Sequence, residues 1–258
     1  MRRIRATAAW HELMKGIPFV FALVLAANGS STAGGRTATP VVVELFTSEA
    51  CSSCPPADAL LSELNQKHVV NGAEVFVLGE HVDYFNHLGW IDRYSSAAFT
   101  ERQNRYAEQF HLPSAYTPQV VVNGRFEALG SDEASVEREI RIAAQTRQAI
   151  VLLKWTAQDA LHVTVSGVAG DPSAVMLAIT EDQLSTFISG GENGGRLLRH
   201  TGVVRELRQI GTTAHGAFDG TVPVAPSANW KTRNLHIVAF VQRPGNREII
   251  GAAAVTLP

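Results

Sequence analysis

The sequence predicts an α/β domain followed by an antiparallel β-sandwich, and three observations carry that expectation. Between residues 40 and 147, apolar runs alternate with helical periodicities, the pattern of strands interleaved with helices. From residue 150 to 258, short alternating runs separated by turn signals replace it, the pattern of a sandwich. The only two cysteines, Cys51 and Cys54, lie between the first apolar run and the first helical pattern.

The N-terminus reads as an export signal. Arg2, Arg3, Arg5 and Lys15 precede the apolar stretch Ile17–Ala27, which is short of the ~20 residues needed to span a bilayer but suits a signal core. Small residues follow, and Ala27-Asn28-Gly29 or Ser31-Thr32-Ala33 offers a cleavage site. Residues 1–33 are therefore expected to be signal and linker. The mature chain then starts after residue 28 and is periplasmic or secreted, without a stable membrane span. Met14 makes a tidier start than Met1, and a buried N-terminal helix is the alternative.

The first strand covers 41–46. A helix follows the cysteines, with Ala57, Leu60, Leu61 and Leu64 on one face. Pro55 and Pro56 are tolerated only in a first helical turn, which fixes its start. Val75–Leu78 is a second buried strand. A helix over about 96–110 puts Phe99, Gln103, Tyr106 and Phe110 on one side. Residues 120–130 form a hairpin about Asn123-Gly124, a pair suited to a two-residue turn. A helix over about 132–146 follows, with Ser131 as its cap and Val136, Ile140 and Ala143 inward. Strands are then expected at 150–155, 161–168, 175–180, 203–210, 235–242 and 249–257. Gly190–Gly195 is a long loop without the Lys-Ser/Thr of a phosphate loop.

A hydrophobic fraction of 45% and a charged fraction of 18% allow a sizeable core. A net charge of −2 argues against nucleic acid or an acidic membrane surface as the main partner.

A Cys-x-x-Cys after a strand and before a helix points to thiol–disulfide exchange, because unpaired N–H groups at a helix N-terminus stabilise a thiolate. Cys51 is the expected attacking sulfur and Cys54 the resolving one. The alternative, a structural clip, gains little here, since a ring this short closes almost no chain entropy. His81 and Asp83 follow the second strand at the edge where open α/β sheets bind ligands. They are candidates for the cleft, or polar residues locking a loop. Tyr84 and Trp90 read more readily as packing. Cys51, Cys54, His81 and His87 offer an alternative metal set, although their spacing fits no finger pattern.

Two resemblances appear. Tyr116-Thr117-Pro118-Gln119-Val120-Val121-Val122 before Asn123-Gly124, together with the cysteine pair, resembles the thioredoxin superfamily. That resemblance implies a thioredoxin-like α/β domain, a cis Thr117–Pro118 bond beside the cysteines, and Thr117 and Pro118 as substrate-positioning residues. It also implies Glu44 as proton acceptor for the second cysteine, the alternative being a carboxylate satisfied by hydrogen bonds. The chain is more closely similar to an exported family known as domain of unknown function 1223. The matching stretches include Glu44-Leu45-Phe46-Thr47-Ser48, Cys51–Asp58, His81-Val82-Asp83-Tyr84, Leu88-Gly89-Trp90, Tyr116–Gln119, Gly191-Glu192-Asn193 and His200 with Val203-Val204-Arg205. Ala50, Phe85 and Gly202 stand where that family usually carries Gly, Trp and Asn. Glu192, Asn193 and His200 become candidates for contact with the redox face.

The expected protein is thus an exported thiol–disulfide oxidoreductase acting on protein thiols or disulfides, with no organic cofactor. The alternatives are a metal- or partner-binding protein on the same scaffold, or an envelope module with a closed structural disulfide.

Overall fold

The structure is a computed structural model, and it describes residues 38–146 and 148–258. The expected signal segment and its cleavage site lie outside the described residues.

The chain runs β1 (Thr39–Thr47), α1 (Pro55–Lys67), β2 (Val69–Val70), β3 (Ala73–His81), α2 (Ala97–Gln109), β4 (Gln119–Val122), β5 (Phe126–Leu129) and α3 (Glu133–Ala143). It continues with β6 (Ile150–Ala157), β7 (Ala160–Ser166), β8 (Ala174–Glu181), β9 (Leu184–Phe187), β10 (Leu197–His200), β11 (Val203–Thr212), β12 (Phe218–Pro223), β13 (Leu235–Gln242) and β14 (Ile249–Thr256).

β1 is the central strand of the N-terminal half. It pairs in parallel with β3, Val43 opposite Val77, and antiparallel with β4, Val43 opposite Val122. Because side chains alternate across a sheet, Val41, Val43 and Leu45 face α1 and α3, where Leu60, Leu61, Leu64, Val136 and Ile140 meet them. Val42 and Phe46 pack on the opposite side, against clusters containing Phe99 and Tyr106 of α2. Cys54 is the N-cap of α1, with Pro55 and Pro56 opening the helix. α2 is capped by Ser96, whose Oγ accepts from the Ala98 N–H, a contact of the kind that contributes about 1 kcal/mol. α3 is capped by Asp132 rather than the expected Ser131. The carboxylate accepts from both the N–H and the hydroxyl of Ser135, which a single serine hydroxyl one residue earlier does not match.

The expected thioredoxin-like α/β domain followed by a separate antiparallel β-sandwich is not what forms. The molecule is mainly β, with three α-helices among the described residues. One nine-stranded mixed sheet takes strands from both halves in the order β14-β13-β8-β11-β3-β1-β4-β5, with β2 on β3. The described residues from 38 to 258 form one compact unit. The cause lies at the outer edge of β3. An unpaired strand edge invites pairing, and β11 runs parallel to β3 there, Val203 opposite Gly79. The approach is close: the Gly79 N–H donates to the Gly202 carbonyl at 2.7 Å. Gly202 has φ +62°, and a Cβ on it would meet Val77 at 2.7 Å. Glycine suits both demands. β8, β13 and β14 then extend the sheet antiparallel. The separate sheet β12-β7-β6 packs on this extension through Val151, Leu161, Val163, Leu177, Ile179 and Ile237. No separate sandwich domain forms, because the larger of the two packed sheets is the mixed sheet shared with the N-terminal half.

Candidate functional site

Thr47, Ser48, Glu49 and Ala50 carry the chain from β1 to the cysteines, and all four are buried. The turn is tied by its own backbone. The Cys51 N–H donates to the Ser48 carbonyl and the Cys54 N–H to the Cys51 carbonyl. The cysteines form a closed disulfide with Cα atoms 5.4 Å apart, an ordinary separation. Cys51 is 2% exposed and Cys54 0%, while Ser52 and Ser53 between them are exposed.

Three distant segments converge on this turn. From the loop before β4, the Thr117 hydroxyl donates to Cys51 Sγ at 3.3 Å. The Thr117–Pro118 peptide is cis. From the loop joining β9 to β10, the buried Asn193 donates through Nδ2 to the carbonyls of Glu49 and Cys51, both at 2.9 Å. The neighbouring Glu192 carboxylate accepts from the Ser52 N–H at 3.1 Å. From the loop after β3, Trp90 Nε1 donates to Glu49 Oε2 at 2.8 Å, and the Glu49 N–H donates to Asp92 at the same distance.

Below the turn lies a buried cluster of acids and imidazoles. His81 Nδ1 sits 2.7 Å from Asp92 Oδ2, and His200 Nε2 is 3.3 Å from Glu49 Oε1. The two rings meet edge to face with centroids 4.9 Å apart. Asp58, one helical turn past Cys54, accepts from the Thr47 hydroxyl at 3.0 Å. Burial pushes the Asp58 carboxyl up to about 7, against the opposing pull of His200. Burial also acts to raise Asp92, but His81 together with the N–H groups of Glu49 and Tyr94 outweighs it and holds that carboxyl below its usual value. Among the described residues no lysine or arginine pairs with a carboxylate of this cluster. A cavity of about 370 Å³ between α1 and β10, lined by Asp58, Ser62, Leu198 and Arg199, opens beside it.

The structure therefore brings together Cys51, Cys54, Thr117, Pro118, His81, Glu192, Asn193 and His200. It does not bring Asp83 or Glu44 into the cluster. Asp83 accepts from Thr100 of α2 at 2.6 Å and ties its loop to that helix. Glu44 lies on the other face of the sheet, where Arg102 Nε and the Tyr106 hydroxyl each donate to it at 2.6 Å. It matches the alternative of a carboxylate satisfied by hydrogen bonds. His87 is exposed, and among the described residues no three or more His, Cys, Asp or Glu side chains are gathered to hold a metal ion. Glu49, Asp58 and Asp92 escaped the sequence reading. The available signal was proximity: Glu49 two residues before Cys51, and Asp58 at the i+4 position from Cys54.

The family model described as a protein of unknown function, DUF1223, matches residues 42–242. The chain belongs to the DUF1223 family. This DUF1223 chain is similar to a crystal structure of a protein from Agrobacterium tumefaciens, with 26% identity and a TM-score of 0.72 over 86% of this chain and 96% of that one. The likeness spans both halves and so supports the shared sheet. A domain of the outer membrane lipoprotein Omp28 from Porphyromonas gingivalis matches 42% of this chain and 85% of that one at 20% identity, but its TM-score of 0.24 carries no argument. A search of curated proteins finds no match. Among the described residues no helix is long and apolar enough to cross a membrane.

Proposed function

We propose that this DUF1223 protein is an exported thiol–disulfide oxidoreductase that acts on protein thiols or disulfides through Cys51 and Cys54. The observation that carries the reading is the investment of the fold around a four-residue disulfide ring. Such a ring contributes little to chain entropy, yet loops from residues 88–92, 117–118 and 190–195 all converge on it. In the reducing direction, the Cys51 thiolate attacks a substrate disulfide, forming a mixed disulfide and releasing one substrate thiolate. Cys54, deprotonated in turn, attacks Cys51 Sγ and releases the second. Two electrons pass to the substrate, and the Cys51–Cys54 bond closes. The oxidising direction is the reverse. The export signal read at the N-terminus would place this chemistry in an oxidising compartment.

A second reading, an envelope module with a permanently closed disulfide, is favoured by one observation: both sulfurs are buried, and exchange needs access. Incubation of the folded protein in graded glutathione redox buffers, followed by alkylation and mass analysis, separates the two. The oxidoreductase reading expects reversible two-electron exchange with the fold intact. A pair that opens only together with global unfolding supports the structural disulfide.

A further inference from the structure

The Glu192 contact does more than brace a loop. The Ser52 N–H is a main-chain donor beside Cys51 on which a thiolate would draw, and it matters the more because Pro55 and Pro56 bring no N–H to the opening of α1 while the N–H groups of Ala57 and Asp58 donate to the Cys54 carbonyl. In the structure that donor is already used: Glu192 Oε2 accepts from it at 3.1 Å. The carboxylate brings a full negative charge to the rim of the turn. Accepting this hydrogen bond holds Glu192 below its usual range, so it is charged at neutral pH.

The loop is seated firmly. Asn193 clasps the carbonyls of Glu49 and Cys51, and Arg196 donates to the Asn193 side-chain oxygen at 3.1 Å. Gly190 and Gly191 press on the 88–90 loop so closely that a Cβ at either would meet Gly89, Leu88 or Trp90 within 3.2 Å. The other titratable groups around the turn are mostly acidic: Glu49 before it, Asp58 on α1 and Asp92 after β3, with His81 of β3 and His200 of β10 between them. Arg196 is the cation of the same loop, and Arg199 of β10 lines the neighbouring cavity with Pro55 and Asp58. The Thr117 hydroxyl acts in the opposite sense, as a donor to Cys51 Sγ.

We infer that Glu192 is an electrostatic gate on the cysteine pair, occupying the Ser52 donor and opposing a thiolate at Cys51, so that the pair is poised as a reductant with a stable disulfide. The inference rests on the oxidoreductase reading and gives it a direction. A dithiol whose thiolate is disfavoured has a less stable reduced form, and the couple moves to lower potential. The reduced pair then passes two electrons to a substrate disulfide and is restored by a dithiol donor.

The test is Glu192→Gln, which keeps an acceptor for Ser52 and removes the charge. Chemically reduced wild type and variant are alkylated with limiting iodoacetamide across a pH series, at low and at molar salt. The variant should show a lowered Cys51 pKa at low salt, with labelling at neutral pH faster by about threefold to tenfold, as expected for loss of one charge at close range. That gain should shrink at molar salt, where an exposed charge is screened. Glu192→Asp should stay near wild type. An unchanged profile at low salt, or a gain equal at both salts, overturns the gate. In glutathione buffers the variant should favour the dithiol by a similar factor. Failure of the wild type to exchange with glutathione would count against the oxidoreductase reading, while the alkylation profile still decides the gate.

Discussion

Two buried clusters of carboxylates face opposite sides of this protein's sheet, and they differ in how their charge is met. Behind β1, Glu44 and Glu80 share Arg102. Its Nε is 2.6 Å from Glu44 and 3.4 Å from Glu80. Tyr106 and Gln242 complete the network, Gln242 Nε2 donating to the Tyr106 hydroxyl and accepting through Oε1 from Arg102. Burial and the charge of Glu44 push Glu80 well above the usual carboxylate range, while Arg102 pulls it down. Below the cysteines, among the described residues, Glu49, Asp58 and Asp92 have no lysine or arginine ion-pair partner; Asp92 and Glu49 pair with His81 and His200, and neutral donors such as Trp90 and Thr47 meet the rest. A guanidinium is charged at every relevant pH, whereas the second cluster holds Asp58, whose carboxyl burial raises to about 7. The first cluster is therefore a fixed clasp joining α2 to β1, β3 and β13. The second can exchange protons in the range where thiols react. Both are buried polar clusters, and the cation chosen separates structure from chemistry.

The largest test of that contrast removes the clasp. Arg102→Met would leave two carboxyls buried with no cation, a loss of about 3–5 kcal/mol. Urea unfolding measures it directly. A cost below about 1 kcal/mol would mean that the pair is solvated or protonated without help, and the distinction between the clusters would dissolve.

The second test uses pH. Asp58 is raised to about 7 in the folded state from an ordinary value near 3.8. A raised folded value means that folding favours the protonated carboxyl. Its contribution is complete below about pH 4 and is lost as pH rises through about 7, a change on the order of 4 kcal/mol. Asp58→Asn should remove that part of the slope, so that the variant gains on the wild type between acid and neutral pH. Parallel stability curves across the interval would show that Asp58 is solvated and that the cluster does not titrate as a unit.

Local structure was legible in the sequence where a single pattern sets it. The apolar face Ala57-Leu60-Leu61-Leu64, the double proline opening α1 and the Asn123-Gly124 turn act over a few residues. The Gly190–Gly195 loop was conspicuous by length. Pairing between the halves was not legible, because it begins at one parallel contact, Val203 opposite Gly79, permitted by glycines that carry no apolar signal. The β9–β10 hairpin bounding the glycine loop was missed because four-residue strands barely show alternation. Asp58 was passed over for a related reason. An acid in a first helical turn ordinarily interacts with the helix dipole in solvent, whereas here β10 packs against α1 and Thr47 of β1 meets the buried Asp58 carboxyl. Arg102, on a face expected to be aromatic and neutral, is explained by the acids of β1 and β3 opposite it.

The smallest effect sharpens the contrast at the sulfur itself. If the cluster below the cysteines supports chemistry, the groups touching Cys51 should tune its ionisation in small steps without changing stability much. Among the described residues, Thr117 is the one side chain from a distant segment whose hydroxyl reaches Cys51 Sγ, at 3.3 Å. Valine matches its shape and lacks the donor. A hydroxyl donor favours the thiolate over the thiol, so Thr117→Val should raise the Cys51 pKa, in the direction opposite to Glu192→Gln. A neutral hydrogen bond of this kind contributes about 0.5–1.5 kcal/mol, which slows alkylation of the reduced protein at neutral pH by about twofold to tenfold. At high pH, where the thiol is fully ionised, the two proteins should react at the same rate. Slower reaction of the variant at every pH would instead point to altered access. Unchanged kinetics throughout would mean that the hydroxyl turns away once the disulfide opens, leaving the main chain and Glu192 to set the reactivity of Cys51.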